Sequence, residues 1–133
     1  MEQAGLDPSL VRVGRAFTEP EGARLCEELL AGGGAGADVS AIVAGNDLMA
    51  LGCYDVFAAR GIDCPREISV VGFNDMPFAD RFAPPLTTVR IPHYEIGVAA
   101  AQLLLDLLAG KEDGPAEVVL QPDLIVRGST AAA

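Results

Sequence analysis

The sequence predicts an α/β fold in which helices flank an open parallel sheet. Three short apolar runs end in Gly14, Gly45 and Gly72, and stretches with helical periodicity separate them. Continuous apolar runs of this kind are typical of strands that are buried on both faces of a parallel sheet. Polar or aromatic residues follow each glycine, and ligands bind beyond the carboxyl ends of parallel strands. We therefore expect three strand ends to converge on one binding crevice.

The first elements alternate between helix and strand. Residues 1–5 have the pattern of a helix end, and residues 10–13 that of a strand. Thr18 begins the next helix, because Pro20 lies in the first turn and Glu21 stands three residues after Thr18, as in a capping box. A glycine-rich loop ends this helix.

The middle of the chain repeats the alternation. A strand is predicted at residues 40–44, followed by a helix from about residue 48 to residue 60 that Gly61 caps. A second strand follows at residues 68–73, and residues 76–82 form a short turn or single helical segment.

The last part of the chain begins with a strand at residues 86–89. A long helix then runs over residues 92–108, and two short strands are expected at residues 117–121 and 124–127. Pro122 lies between these two strands, so we expect the chain to bend there at a sheet edge or in a crossover. Strand and helix alternate throughout, so the class is α/β.

Composition excludes several classes of function. The 133 residues carry a net charge of −10, so the chain alone should repel nucleic acid. No apolar stretch reaches the roughly 18 to 20 residues of a membrane span, and no signal-peptide pattern opens the sequence. The three cysteines lack metal-site spacing. Cys26 and Cys53 lie within helices, where we expect small core residues in a reducing cytoplasm.

Signatures of catalysis are missing from the sequence. His93 is the only histidine, and there is no nucleophile elbow, P-loop or dinucleotide-binding motif. The carboxylates expected at the crevice are Asp47 and Asp75, which stand beside amides rather than bases. We therefore expect no enzyme, no metal and no cofactor.

Five short segments occur with a characteristic order and spacing. They are residues 44–52 (AGNDLMALG), 61–65 with 68–75 (GIDCP and ISVVGFND in the sequence), 84–89 (PPLTTV), 97–105, and 124–130 (LIVRGST). Together they resemble the LacI/GalR family of bacterial transcriptional repressors, and the resemblance covers essentially the whole chain.

The resemblance implies a core like that of periplasmic sugar-binding proteins, with two α/β subdomains around an effector cleft and a separate helix-turn-helix that reads DNA. It implies that residues 1–133 are an incomplete effector-binding domain. Residues 6–89 and 117–130 would belong mainly to the C-terminal subdomain, and residues 93–110 to the other. The DNA-binding domain, the hinge helix and a normally central first strand are expected to be absent. The absent strand would leave its neighbours without hydrogen-bond partners, and association with another chain is one way to supply them.

The resemblance also implies ligand contacts. Phe17 matches an aromatic residue that packs on the effector, although it could instead be a hydrophobic staple of the following helix. Asn46 matches a polar contact, and the alternative is that Asn46 or Asp47 caps the helix. Asn74 stands where many members carry an aspartate, so the site gains a donor and loses a charge. Asp75 could contact the ligand or turn the chain.

Two further candidates lie on the crossover after the strand at residues 86–89. The resemblance places Ile91 and His93 near the cleft, and the alternative for His93 is a packing role. The dimer interface that the resemblance implies contains five side chains, for which core packing is the alternative. They are Leu51, Tyr54, Met76, Phe78 and Phe82.

Three functions remain open at this level. The leading one is the effector-binding and dimerisation part of a LacI-type regulator, cytoplasmic, with a sugar or nucleobase as effector and a homodimer as its assembly. Such a protein would reach DNA only through the helix-turn-helix that this sequence lacks, and would not bind a membrane. The second is a sugar-binding component of a transport system. The third is a truncated remnant that dimerises but binds neither DNA nor effector.

Overall fold

The computed structural model describes residues 10–31, 39–111 and 117–132. The described helices and strands alternate along the chain, and a short 3-10 helix lies at Ala79–Arg81. The helices are α1 (Glu19–Ala31), α2 (Asp47–Arg60) and α3 (His93–Leu108), and the strands are β1 (Ala41–Val43), β2 (Ser69–Asn74), β3 (Thr87–Arg90) and β4 (Asp123–Ile125).

The four strands form one mixed sheet in the order β1-β2-β3-β4. β1 and β2 pair in parallel with Ile42 opposite Val70, and β2 and β3 pair in parallel. β4 is antiparallel, with Ile125 opposite Thr88. The α/β class is therefore confirmed, and the sheet is parallel except at its last strand.

The core lies where α1 and α2 cross. A Cβ on Gly22 would collide with the backbone of Met49, and a Cβ on Gly52 with that of Glu19, so two glycines permit this close approach. Side chains from one face of the sheet join the helices in a continuous core. The fully buried members include Cys26, Ala50, Val70 and Leu86. Cys26 and Cys53 are free thiols in this core, as predicted.

The predicted helices are confirmed with small shifts at their ends. α2 begins at Asp47 with Asn46 as N-cap, and Gly61 follows its last residue with φ 70°. α3 spans His93–Leu108, and Gly110 has φ 65°. Local signals, namely a capping amide and glycines that adopt the left-handed conformation, therefore locate these ends.

The strand predicted at residues 10–13 is wrong. Residues 11–14 have no regular secondary structure, and Val13 is 84% exposed. A cavity of about 680 Å³ is lined by Leu10 and Val11 together with β1. The segment therefore has the apolar character of a strand but pairs with no strand among the described residues.

Two smaller predictions also need correction. Residues 117–121 do not form a strand, and Val118 and Val119 are exposed. The closing strand is Asp123–Ile125 rather than 124–127. Glu21 does not complete a box with Thr18. Its carboxylate instead accepts the N–H of Arg15 at 2.8 Å. The helix end predicted at residues 1–5 and residues 32–37 of the glycine-rich loop lie outside the described residues.

The long helix α3 is apolar but contains no buried residue. Leu104, Leu105, Leu107 and Leu108 are each more than half exposed. Even so, none of the helices in the described part of the chain is long and apolar enough to cross a bilayer.

Candidate functional site

The ends of β1 and β2 meet at one edge of the sheet, and Phe17 reaches this edge from the preceding segment. Asn46 follows β1 and caps α2, since its Oδ1 accepts the N–H of Met49 at 2.8 Å. Its Nδ2 donates to the carbonyl of Phe17 at 3.2 Å. The Phe17 ring lies against Gly45, where a Cβ would stand 3.1 Å from Cε1. The structure therefore brings Phe17 and Asn46 into contact.

Asn46 is thus the helix cap, which was one of the two alternatives. Its carbonyl and amide groups hold the start of α2 and the backbone at Phe17 together, and the residue is 8% exposed. The Phe17 ring is by contrast 69% exposed. An exposed aromatic face at the end of a strand is available to pack on a ligand.

Asn74 is the last residue of β2 and pairs in register with Arg90 of β3. Asn74 and Asp75 have φ values of 108° and 54°, which turn the chain sharply at this point. Left-handed conformations cost side-chain-bearing residues on the order of 1 kcal/mol each, so the surrounding contacts must hold them. Asp75 therefore turns the chain, as one alternative predicted.

Asp47 connects the two strand ends. Its carboxylate is fully buried and accepts the Thr88 hydroxyl at 2.6 Å and the N–H of Met76 at 2.7 Å. Gly72 leaves the necessary space, because a Cβ there would collide with Oδ1. Asp47 thus fixes α2, the loop after β2 and β3 relative to one another. The sequence analysis placed Asp47 at the crevice but missed this role.

Asp75 anchors two arginines at the same edge. Its carboxylate accepts Arg127 at 2.6 Å and Arg90 at 2.7 Å. Burial acts to raise the pKa of Asp75, but the hydrogen bonds from the two guanidinium groups outweigh it and lower the pKa. Arg127 also donates to the Leu86 carbonyl. The sequence analysis missed both arginines, although residue 127 belongs to the closing segment of the resemblance.

The other two predicted ligand residues follow β3. Ile91 comes directly after Arg90, the register partner of Asn74, and is half-buried. His93 opens α3 with an exposed side chain, and its backbone N–H donates to the Ile91 carbonyl at 2.8 Å. Ile91 therefore lies at the same edge of the sheet as Asn74, and His93 is placed two residues farther on.

The predicted interface residues include an aromatic cluster. Tyr54 and Phe82 contact edge to face with ring centroids 5.0 Å apart, and Phe78 stacks on Phe82 at 5.9 Å. The Tyr54 hydroxyl donates to the carbonyl of Pro84 at 2.9 Å. Tyr54, Phe78 and Phe82 are half-buried, as are Leu51 and Met76. The cluster packs on the core and also reaches the surface.

The groups at this edge of the sheet can form hydrogen bonds and stacking contacts. Among the described residues, no group of three or more histidine, cysteine, aspartate or glutamate side chains is placed to hold a metal ion. The available groups are one exposed aromatic face, two amides and two arginines that both pair with Asp75. Such groups can pack on a ring and exchange hydrogen bonds with hydroxyls.

Comparisons with known proteins agree with this architecture. The periplasmic binding protein-like domain matches residues 1–130. The HTH-type transcriptional regulator MalR of Streptomyces coelicolor is 45% identical over 98 residues, which cover 74% of this chain and 28% of MalR.

Solved structures give the same result. The transcriptional regulator CelR in complex with cellobiose has a TM-score of 0.86 at 36% identity, over 96% of this chain and 38% of CelR. A LacI family regulator from Enterococcus faecium with bound ribose has a TM-score of 0.74 at 30% identity, over 86% of this chain and 41% of that one. The chain thus spans well under half the length of these relatives.

Proposed function

The chain belongs to the periplasmic binding protein-like family, among the effector-binding cores of LacI-family regulators, and from this premise we propose that it binds a small sugar effector at the rim formed by Phe17, Asn46 and Asn74. The observation that carries the proposal is the contact between Phe17 and the end of β1. It presents an exposed aromatic face beside the polar residues at the strand ends. The relatives solved with cellobiose and ribose support this class of ligand.

The chemistry of the rim favours a neutral polyol. The apolar face of a pyranose or furanose packs on an aromatic ring, while its hydroxyls both donate and accept hydrogen bonds. The Asn74 amide can do both and carries no charge. The Asp75 carboxylate is already engaged by Arg127 and Arg90, so it is not available to pair with a cationic ligand. A nucleobase could stack on Phe17 as well, and is the competing effector.

In the longer protein, effector binding would close a cleft between two subdomains. Residues 6–89 and 117–130 would form most of one subdomain, and residues 93–110 would belong to the other. Closure would change the relative orientation of the paired subunits and of the helix-turn-helix domains attached to them. It would thereby change the affinity of those domains for DNA. The net charge of −10 supports DNA contact through another domain rather than through this one.

The aromatic cluster would contribute to pairing of two such subunits. Aromatic residues are enriched at protein interfaces, and Phe78 and Phe82 keep part of their surface accessible. A regulator of this kind would act in the cytoplasm and would not be an enzyme. The regulators among its relatives support that class of function.

Calorimetric titration of the chain with cellobiose, ribose, other common sugars and the nucleobases tests the proposal. We expect heat from at least one sugar, and Phe17→Ala should weaken that binding about tenfold, since an aromatic contact contributes about 0.5–1.5 kcal/mol beyond its buried area. Leu107→Ala is the matched control, because Leu107 is similarly exposed but lies near the other end of α3. If no compound gives heat of binding in a folded sample, the result would instead support a truncated remnant that dimerises but binds no effector.

A further inference from the structure

Two buried thiols lie where α1 crosses α2. Cys26 of α1 follows Gly22 by about one helical turn, and Cys53 of α2 comes directly after Gly52. A Cβ on either glycine would collide with the backbone of the other helix, so the two backbones touch at this crossing. Each thiol is therefore placed beside the point at which the helices approach closely, and both belong to the continuous core.

The two side chains interact with each other. A hydrogen bond between the thiols lowers the pKa of Cys26, and the same contact, together with burial, raises the pKa of Cys53. Burial and the neighbouring Glu27 oppose the effect on Cys26, whereas Arg60 acts with it. The thiolate is the nucleophilic form of cysteine. The pair is therefore unequal, with Cys26 as the sulfur that attacks and Cys53 as the thiol that follows.

The close crossing is also what a disulfide between two helices requires. A disulfide joins cysteines whose Cα atoms are about 4.4–6.8 Å apart, so the two backbones must approach closely. Gly22 and Gly52 permit that approach. The third cysteine, Cys64, stands apart from the pair, because its thiol donates to the carbonyl of Ser129 at 3.7 Å. The geometry therefore selects one pairing among three cysteines.

We propose that Cys26 and Cys53 form an oxidisable dithiol, which hydrogen peroxide converts to a disulfide that links α1 to α2. The Cys26 thiolate attacks one peroxide oxygen and the O–O bond breaks, which leaves a sulfenic acid and, with the proton that Cys26 has lost, one water. The Cys53 sulfur then attacks the Cys26 sulfur, the S–O bond breaks, and a second water leaves with the Cys53 proton. Two thiols thus lose two electrons and two protons, and one peroxide is reduced to two waters.

Burial makes this modification selective for the oxidant. Cys26 and Cys53 are only 1% and 3% exposed, so the oxidant must be small and uncharged to reach them during brief local opening. Hydrogen peroxide meets this requirement, whereas glutathione disulfide is bulky and charged. The link would join the two helices that begin beside the proposed sugar rim, since α1 starts two residues after Phe17 and Asn46 caps α2. The modification does not depend on a bound sugar.

Peptide mass spectrometry of the full chain after treatment with hydrogen peroxide tests the proposal. Remaining thiols are blocked with N-ethylmaleimide and the chain is cut with trypsin without reduction. Residues 25–60 then form one peptide that carries both Cys26 and Cys53, and residues 61–66 form another that carries Cys64. We expect the first peptide to be lighter by two hydrogen atoms and to carry no maleimide. The second should carry one maleimide.

The same chain oxidised in concentrated urea is the control for proximity in the fold. Cys53 and Cys64 are 11 positions apart and Cys26 and Cys53 are 27 apart, so an unfolded chain should favour the shorter loop and join the two peptides. The same products with and without urea would overturn the proposal, as would a folded chain whose 25–60 peptide keeps two maleimides.

Two serine variants separate the roles of the thiols. Cys64→Ser should form the Cys26–Cys53 link at an unchanged rate. Cys53→Ser should stop at the sulfenic acid of Cys26, which dimedone traps. Loss of the link in Cys64→Ser would overturn the proposal, and so would a Cys53→Ser chain in which dimedone labels Cys64 but not Cys26.

Discussion

The body of the molecule, meaning α1, α2 and the sheet, and the helix α3 were both predicted from the sequence, but they differ in their packing. In the body, α1 and α2 cross through Gly22 and Gly52 and bury a continuous core. Helix α3 has a comparable apolar pattern and buries no residue. The comparison shows that local signals are sufficient to form a helix, whereas burial requires a partner surface of matching shape.

The closing segment shows how the body is held together. Ser129 donates to the Val70 carbonyl at 2.6 Å and accepts the N–H of Thr87 at 2.8 Å. Its own carbonyl accepts the Val70 N–H at 2.8 Å. Residues far apart in sequence therefore satisfy one another in the interior of the body, which α3 does not reach.

The largest effect should come from Asp47→Ala. The substitution leaves the buried Thr88 hydroxyl and Met76 N–H without their acceptor, and an unsatisfied buried group costs about 1–3 kcal/mol. We expect the free energy of unfolding in urea to fall by about 3 kcal/mol. Asp55→Ala is the control, because Asp55 is exposed on the same helix. Similar losses for both variants would contradict the role given to Asp47.

A pair of glycine substitutions sharpens the comparison between the two regions. Gly52→Ala should destabilise the chain by about 1–3 kcal/mol, because its Cβ meets the backbone of α1. Gly97→Ala in α3 should stabilise by up to about 1 kcal/mol, since no atom lies within 4 Å of the added Cβ and alanine favours a helix. Urea unfolding of the two variants checks this. A loss at Gly97 would mean that α3 packs on a surface after all.

The smallest effect concerns pH. Because the folded-state pKa of Asp75 is lowered from 3.8, its ion pairs stabilise the fold above that value, and the contribution disappears as pH falls through the folded-state pKa. We expect the free energy of unfolding of the unmodified chain to decrease below about pH 4 more steeply than that of Asp75→Asn. Parallel curves for the two proteins between pH 5 and pH 2 would contradict the assignment.

The sequence predicts those features that depend on neighbouring residues. The start of α2 follows from a capping amide, the last turns of α2 and α3 from the nearby Gly61 and Gly110, and β1 and β2 from continuous apolar runs. The strand predicted at residues 10–13 failed because a strand needs a partner, which no local pattern guarantees.

In the candidate site, too, local features could be predicted from the sequence and long-range contacts could not. Phe17, Asn46 and Asn74 could be singled out because each follows an apolar run, while the ligand roles proposed for them come from the family resemblance. The contacts that position them could not, since Asp47 and Thr88 are 41 positions apart and Asp75 and Arg127 are 52 apart. The antiparallel direction of β4 is likewise a property of the assembled sheet.

The most direct measurement of the central claim is an NMR titration of the isotope-labelled chain with each sugar of the calorimetric panel. If the rim binds a sugar, the side-chain amide signals of Asn46 and Asn74 and the ring signals of Phe17 should shift together and saturate with one ligand. Ring signals of Tyr94, which is exposed on α3, should stay fixed. Saturable shifts confined to other residues, or none at all in a folded chain, would contradict the account.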